Sequence, residues 1–199
     1  MVAVYSPGMT SNPLKALVRA FKDRRIQRLP SRVFLETQVI PELAKAGRRR
    51  MLFVGTRSYN RPAYERCVRE GISVWSVDMD PAASAHGAPQ GHFVGNVCDI
   101  ATLAGERTFD VIMFNGVLGW GLNNAPEALA AVKAMKTVAA PEGLLFVGWN
   151  PGLTDGAEIE IMRPHLLPTS LGEIPADIEF PPHGPAQRYP HRYELFRFA

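Results

Sequence analysis

Five short segments carrying polar or glycine residues each follow directly on an apolar run: Gly55-Thr56-Arg57-Ser58-Tyr59, Asp78-Met79-Asp80, residues 96–100, residues 115–121 and Asn150. Gly55 lets the chain turn sharply and lets backbone amides approach a ligand, or it serves the turn alone. Asp78 closes an apolar run, where a carboxylate can accept both hydrogen bonds of a ribose diol. Alternatively Asp78 or Asp80 caps a following helix that has Pro81 in its first turn. Asp99 stands where a carboxylate meets an exocyclic adenine amine, or it caps a helix over 100–103. In Asn115-Gly-Val-Leu-Gly-Trp-Gly-Leu-Asn123, three glycines surround Trp120. Such a loop is costly in conformational entropy unless its backbone must pass close to something. Trp120 either stacks on a ligand or packs on a sheet rim. His86, His183 and Tyr59 are candidate general bases, although lone residues of these types are more often surface or packing groups.

The elements that carry these residues are legible from periodicity. Apolar runs at 51–54, 72–77, 92–94, 111–114 and 144–149 are short and apolar on both faces, as buried parallel strands are. Helical patterns at 62–70 and 126–139 alternate with them, and Pro141-Glu-Gly143 turns the chain into the fifth strand. This alternation predicts an α/β fold: a Rossmann-like, mostly parallel sheet with helices on both faces. Ligands of such sheets bind beyond the carboxyl ends of the strands, near the switch in strand order. Ahead of the sheet, Pro13 opens an amphipathic helix that ends near Leu29-Pro30, capped by Ser11 or Asn12. A second helix over 33–46 is kinked or split by Pro41 and stopped by Gly47. Residues 1–12 look loosely packed. Behind the sheet, 158–161 and 192–198 are predicted to form an antiparallel β pair closing one edge. The expectation is a single domain over 1–199, made of a basic N-terminal extension (1–30), a core (34–150) and a C-terminal β hairpin region (151–199).

Charge is unevenly spread. Residues 1–50 hold eleven Lys/Arg against Asp23, Glu36 and Glu42, a net of +8, whereas the remainder nets −5. The basic helix is suited to an anionic partner, or it is a solvated face that touches nothing. No apolar run approaches the roughly 18–20 residues of a membrane span. Cys67 and Cys98 are the only cysteines and lack metal-type spacing. A cytoplasmic protein without a disulfide framework is expected.

Residues 34–150 resemble the class I S-adenosylmethionine-dependent methyltransferase family. Met51-Leu-Phe-Val-Gly55 is similar to its first strand and glycine, and Val74-Trp-Ser-Val-Asp78-Met-Asp-Pro81 to the second strand with its ribose-binding acid. Gly95-Asn-Val-Cys-Asp99-Ile100 resembles the adenine motif. Phe109-Asp-Val-Ile-Met-Phe-Asn115 resembles the fourth strand, at the cofactor–acceptor junction, and Pro141-Glu-Gly-Leu-Leu-Phe-Val147 the turn and fifth strand. The resemblance implies S-adenosylmethionine held by Gly55, Thr56, Arg57, Asp78, Met79, Asp99, Ile100, Asn115 and Gly116. Tyr59 and Trp120 would lie on the acceptor side. The implied activity is methyl transfer to a small-molecule or sugar acceptor. The family's first loop has two or three glycines, but Thr56-Arg57-Ser58-Tyr59 has none, so side chains crowd the methionine moiety or Arg57 binds its carboxylate. This departure favours the alternative of a non-catalytic relative that binds a nucleotide-like ligand or a partner protein. A nicotinamide enzyme is disfavoured because GxGxxG is absent after the first strand.

Overall fold

The computed structural model describes residues 13–199, with side-chain surroundings from Leu17 onward. The expected loose segment 1–12, with its capping Ser11 and Asn12, lies outside the described residues. Helix α1 (Pro13–Gln27) leads into α2 (Pro30–Phe34), a π-helical turn (Leu35–Val39) and α3 (Ile40–Lys45). The wide turn is the chain's answer to Pro41, which has no N–H to give and would crowd a regular turn. Ile40 N–H donates to the Leu35 carbonyl five residues back, and the helical path continues through the proline. Gly47 (φ +75°) ends the run, with Gly47 N–H on the Ala44 carbonyl and Arg48 N–H on the Leu43 carbonyl.

The sheet follows: β1 (Arg50–Val54), α4 (Arg61–Arg69), β2 (Ser73–Asp78), β3 (Gly91–Val94), α5 (Ile100–Ala104), β4 (Phe109–Asn115), α6 (Ala125–Val138) and β5 (Ala139–Trp149). The strands lie in the order β3-β2-β1-β4-β5 and all pair in parallel. The chain moves outward from β1 to β3, then returns to the opposite side of β1, so strand order reverses between β1 and β4. After α7 (Ala157–Met162) and β6 (Leu166–Pro168) come β7 (Asp177–Phe180) and β8 (His191–Phe198). β8 runs antiparallel to β5, and β6 and β7 share its other edge at opposite ends.

Two C-terminal expectations need correction. Residues 158–161 belong to α7, not to a strand, and the antiparallel partners of β8 are β5, β6 and β7. Ile159 and Met162 stand three apart and both are buried in the same cluster as α6, so a helical stripe overrides the apparent alternation of Glu158-Ile-Glu-Ile161. In addition, Pro141–Gly143 is a bulge inside β5 rather than a turn before it. Glu142 has φ +58°, and pairing jumps from Phe109–Ala139 to Val111–Leu144.

Alternation along the strands divides the core. Leu52, Val54, Ile112, Phe114, Leu145 and Val147 pack toward α5, α6 and α7. Met51, Phe53, Val111, Met113, Leu144 and Phe146 pack toward α2, α3 and α4. Each such side chain contributes about 1.5–3 kcal/mol by leaving water, which makes the strand tips a stiff platform.

On the second face lies a buried polar group, His191, set edge-on to Tyr193 at 4.7 Å between ring centroids. Its Nε2 has no hydrogen-bond partner among the described residues. Burial pushes His191 from its ordinary 6.5 down to about 3, and the positive Arg32 adds to the shift. The unfolded chain therefore binds a proton below pH 6.5 that the fold refuses, so this part of the stability is complete above pH 6.5 and lost on acidification toward pH 3. Urea unfolding from pH 6.5 to 5 should show the wild type losing stability more steeply than His191→Gln. The extra slope should approach about 1.4 kcal/mol per pH unit. Equal slopes would mean that His191 is charged inside the fold.

Candidate functional site

The tips of β1 and β2 are bound to each other through one carboxylate. Gly55 (φ +83°) turns the chain out of β1, and its N–H donates to the Val77 carbonyl at 2.9 Å. The turn brings Thr56 N–H to Asp78 Oδ2 at 2.7 Å, while Asp80 N–H reaches Asp78 Oδ1 at 2.9 Å. Arg57 Nη1 donates to the same Asp78 Oδ2 at 2.7 Å and to the Thr56 carbonyl at 2.6 Å. The Asp78 side chain is 8 % exposed and that of Arg57 55 %. Asp80 has the capping role: its Oδ1 accepts from Ala82 N–H at 2.9 Å at the start of the 3₁₀ turn Pro81–His86.

A cavity of about 170 Å³ opens above these tips, and Gly55, Arg57, Asp78, Met79, Gly116 and Trp120 are among its walls. Four other residues from the sequence reading stand elsewhere. Thr56 is fully buried, and its hydroxyl lies 3.4 Å from that of Tyr64. Ile100 is core, and the cavity wall in that region is Asn96 and Val97 rather than Asp99 and Ile100. Asn96 Oδ1 caps the local turn by accepting from Cys98 N–H. Asn115 is turned away, donating through Nδ2 to the Tyr193 hydroxyl at 3.2 Å. This pair meets over Gly148, where a Cβ would collide with both side chains.

The loop after β4 is tighter than its glycines suggest. Trp120, Gly121 and Leu122 N–H all donate to the Val117 carbonyl, and Gly119 N–H donates to the Leu122 carbonyl. Leu118 and Leu122 are buried, which pins the loop and leaves Trp120 at its tip, 67 % exposed and facing the cavity. Val117, Gly121 and Leu122 also line it. All three lie in the 115–123 segment that the sequence singled out, although it gave none of them a role of its own.

A second cavity, of about 500 Å³, lies between α1 and the residues after Gly55. It takes Arg19, Lys22 and Asp23 from α1 and Tyr59 from the turn Ser58–Asn60, and it shares Arg57 with the first cavity. Arg32 stacks on the Tyr59 ring, 4.9 Å from its centroid. Of the other candidate bases, His86 lines a separate hollow next to α4, and His183 is exposed ahead of the turn Gly184–Ala186.

No protein-family model and no curated protein sequence matches this chain. Solved structures do. The N-methyltransferase NodS from Bradyrhizobium japonicum WM9, in complex with S-adenosyl-L-homocysteine, superposes with a TM-score of 0.66 over 92 % of this chain and 97 % of its own, at 15 % identity. A TehB-like S-adenosylmethionine-dependent methyltransferase from Corynebacterium glutamicum gives 0.62 over 94 % and 100 %, at 17 % identity. The 1,6-didemethyltoxoflavin-N1-methyltransferase of Burkholderia thailandensis, with 1,6-didemethyltoxoflavin and S-adenosylhomocysteine bound, gives 0.53 over 98 % and 93 %, at 18 % identity. The chain has the class I methyltransferase fold. In this fold the cavity over β1, β2 and β4 lies at the reversal of strand order, where open α/β sheets take their ligands.

Asp78 holds two backbone donors as well as facing the cavity, so its loss must register in stability. Asp78→Ala should lower the unfolding free energy by about 1–3 kcal/mol, chiefly the cost of leaving the amide of buried Thr56 without its charged acceptor. Asp80→Ala loses one cap and should cost about 1 kcal/mol. Urea titration of the two variants checks the order.

Proposed function

We propose that this protein is an S-adenosylmethionine-dependent methyltransferase that acts on a small-molecule or sugar acceptor. The observation that carries this reading is the Asp78 carboxylate at the tip of β2. It faces a cavity over the β1 turn and is fixed in place by the Thr56 and Asp80 amides. The donor and acceptor set suits the cofactor. Asp78 would accept from the ribose, Met79 and Val97 offer apolar surface to the adenine, and the backbone at Gly55 and Gly116 permits close approach. When bound, the cofactor supplies an electrophilic methyl group on a sulfonium. The chain's own part is to orient: it holds the ribose side at β2 and presents Trp120 as a flat apolar surface for an acceptor ring or sugar face. Support for small acceptors comes from the similar structures, one of which holds 1,6-didemethyltoxoflavin. A reducing cytoplasmic setting belongs to the proposal, consistent with two unpaired cysteines, Cys67 deep in the core and Cys98 half-buried. No helix among the described residues is long and apolar enough to cross a membrane.

A second reading, a ligand-binding relative without catalysis, is favoured by the Arg57–Asp78 ion pair in the place of a glycine-rich loop. Methyl transfer from S-adenosylmethionine into a panel of small amines, phenols and amino sugars, followed by product mass, separates the two. Binding of S-adenosylhomocysteine without any product supports the second.

By calorimetry, Asp78→Ala should weaken S-adenosylhomocysteine binding by about 1.5–3 kcal/mol per folded molecule, from the loss of hydrogen bonds to a charged acceptor. Asp80→Ala should cost much less. Equal losses at both positions would misplace the ribose. Trp120→Ala should leave cofactor affinity within a few fold and sharply reduce turnover. With its side chain mostly exposed, it should also leave the melting temperature nearly unchanged. A large drop in melting temperature with normal residual turnover would assign Trp120 to packing.

A further inference from the structure

The Asp78 carboxylate has too few free positions for a diol as it stands. Its two oxygens offer about four lone-pair sites. Oδ2 already takes Thr56 N–H and Arg57 Nη1, both at 2.7 Å, and Oδ1 takes Asp80 N–H at 2.9 Å. A ribose diol brings two O–H donors, one for each oxygen, so Oδ2 must first release a donor. Thr56 N–H cannot leave, because Thr56 is fully buried in the turn closed by Gly55. The donor that can leave is the Arg57 guanidinium, more than half exposed on a flexible stem. Volume leads to the same residue. The first cavity, at about 170 Å³, is smaller than the roughly 300 Å³ at which small-molecule sites begin, and Arg57 is one of its movable walls.

The destination of that guanidinium is also defined. Arg57 lines the second cavity, where Arg19 and Lys22 face one acid, Asp23. With Arg57 held by Asp78 the balance there is one surplus cation, and with Arg57 released it is two. Val18, Ile26 and Tyr59 supply apolar wall beside the charges. The cavity therefore suits a small anion that carries an apolar body.

We propose that the cofactor's ribose displaces Arg57 from Asp78, and that the freed guanidinium joins Arg19 and Lys22 to bind a carboxylate- or phosphate-bearing acceptor beneath α1. The inference rests on the methyltransferase reading and adds to it an acceptor class and a coupling between the two sites. Because binding linkage is reciprocal, the anion must tighten the cofactor by the factor that the cofactor tightens the anion.

The test is calorimetric titration of the full chain with S-adenosylhomocysteine at matched ionic strength, alone, with benzoate and with inorganic phosphate. One of the anions should tighten the wild type by about three- to fivefold. A response to benzoate alone identifies a carboxylate ligand, and a response to phosphate alone a phosphorylated one. Arg57→Met should bind S-adenosylhomocysteine about two- to fivefold more tightly without any anion, as expected for removal of a competing, partly exposed ion pair, and should show no anion effect. Arg57→Lys, which keeps the charge but not the planar fork, should fall between the two. The double variant Arg19→Gln/Lys22→Gln should match the wild type without anion and also lose the anion effect. Equal affinities for wild type and Arg57→Met, or an anion effect that survives Arg57→Met, would overturn the inference. Normal S-adenosylhomocysteine binding with no anion effect overturns this inference alone. Failure of all forms to bind S-adenosylhomocysteine overturns the cofactor reading beneath it.

Discussion

The site is organised around the acceptor capacity of one carboxylate. Asp78 ends β2, yet it also fixes the first turn after β1 and the turn that follows its own strand. A charged acceptor binds amides more strongly than a neutral one, and three donors already converge on this one. Occupying both of its oxygens with a diol therefore means exchanging one donor for another at Oδ2. The Arg57 side chain is the one donor of the three that does not belong to the backbone.

The two cavities are built from material of different stiffness. The first stands on strand tips whose side chains are buried on both faces and on a loop that closes on the Val117 carbonyl. The second has α1 as a wall. That helix rests on the turns Ser58–Asn60 and Gly184–Ala186 rather than on the sheet, and it leaves Leu17, Val18 and Phe21 exposed. Elements with few buried apolar contacts open at low free-energy cost. Rigid geometry thus lies where a cofactor would be held, and adjustable geometry where an acceptor would enter.

Much of this was legible in the sequence because apolar runs of strand length, each ended by polar residues, have few other uses. The parallel order and the position of Asp78 follow from that pattern. What was not legible depended on distance through space. That Arg57 reaches back to Asp78 requires the turn at Gly55 to fold over β2, and no spacing rule encodes it. Residues 158–161 alternate like a strand, and only the packing of Ile159 and Met162 beside α6 shows the helical stripe. Asp99 and Ile100 stand one turn beyond the wall that Asn96 and Val97 form, an offset smaller than the error of any boundary read from propensity. The loop around Trp120 read as costly in conformational entropy because glycine content reports backbone freedom, not the buried leucines on either side that remove it.

The split outer strand has a consequence for life at high concentration. An exposed sheet edge is a row of unpaired amides and carbonyls on which another chain can add. Here one edge is the four-residue β3, and the other is divided between β6 and β7, three and four residues long. Pro168 ends the first of these, while Pro181 and Pro182 follow the second. Among the described residues neither piece offers the long, flat template that intermolecular strand addition needs, so their eight-stranded sheet is guarded against polymerising by how little continuous edge it exposes.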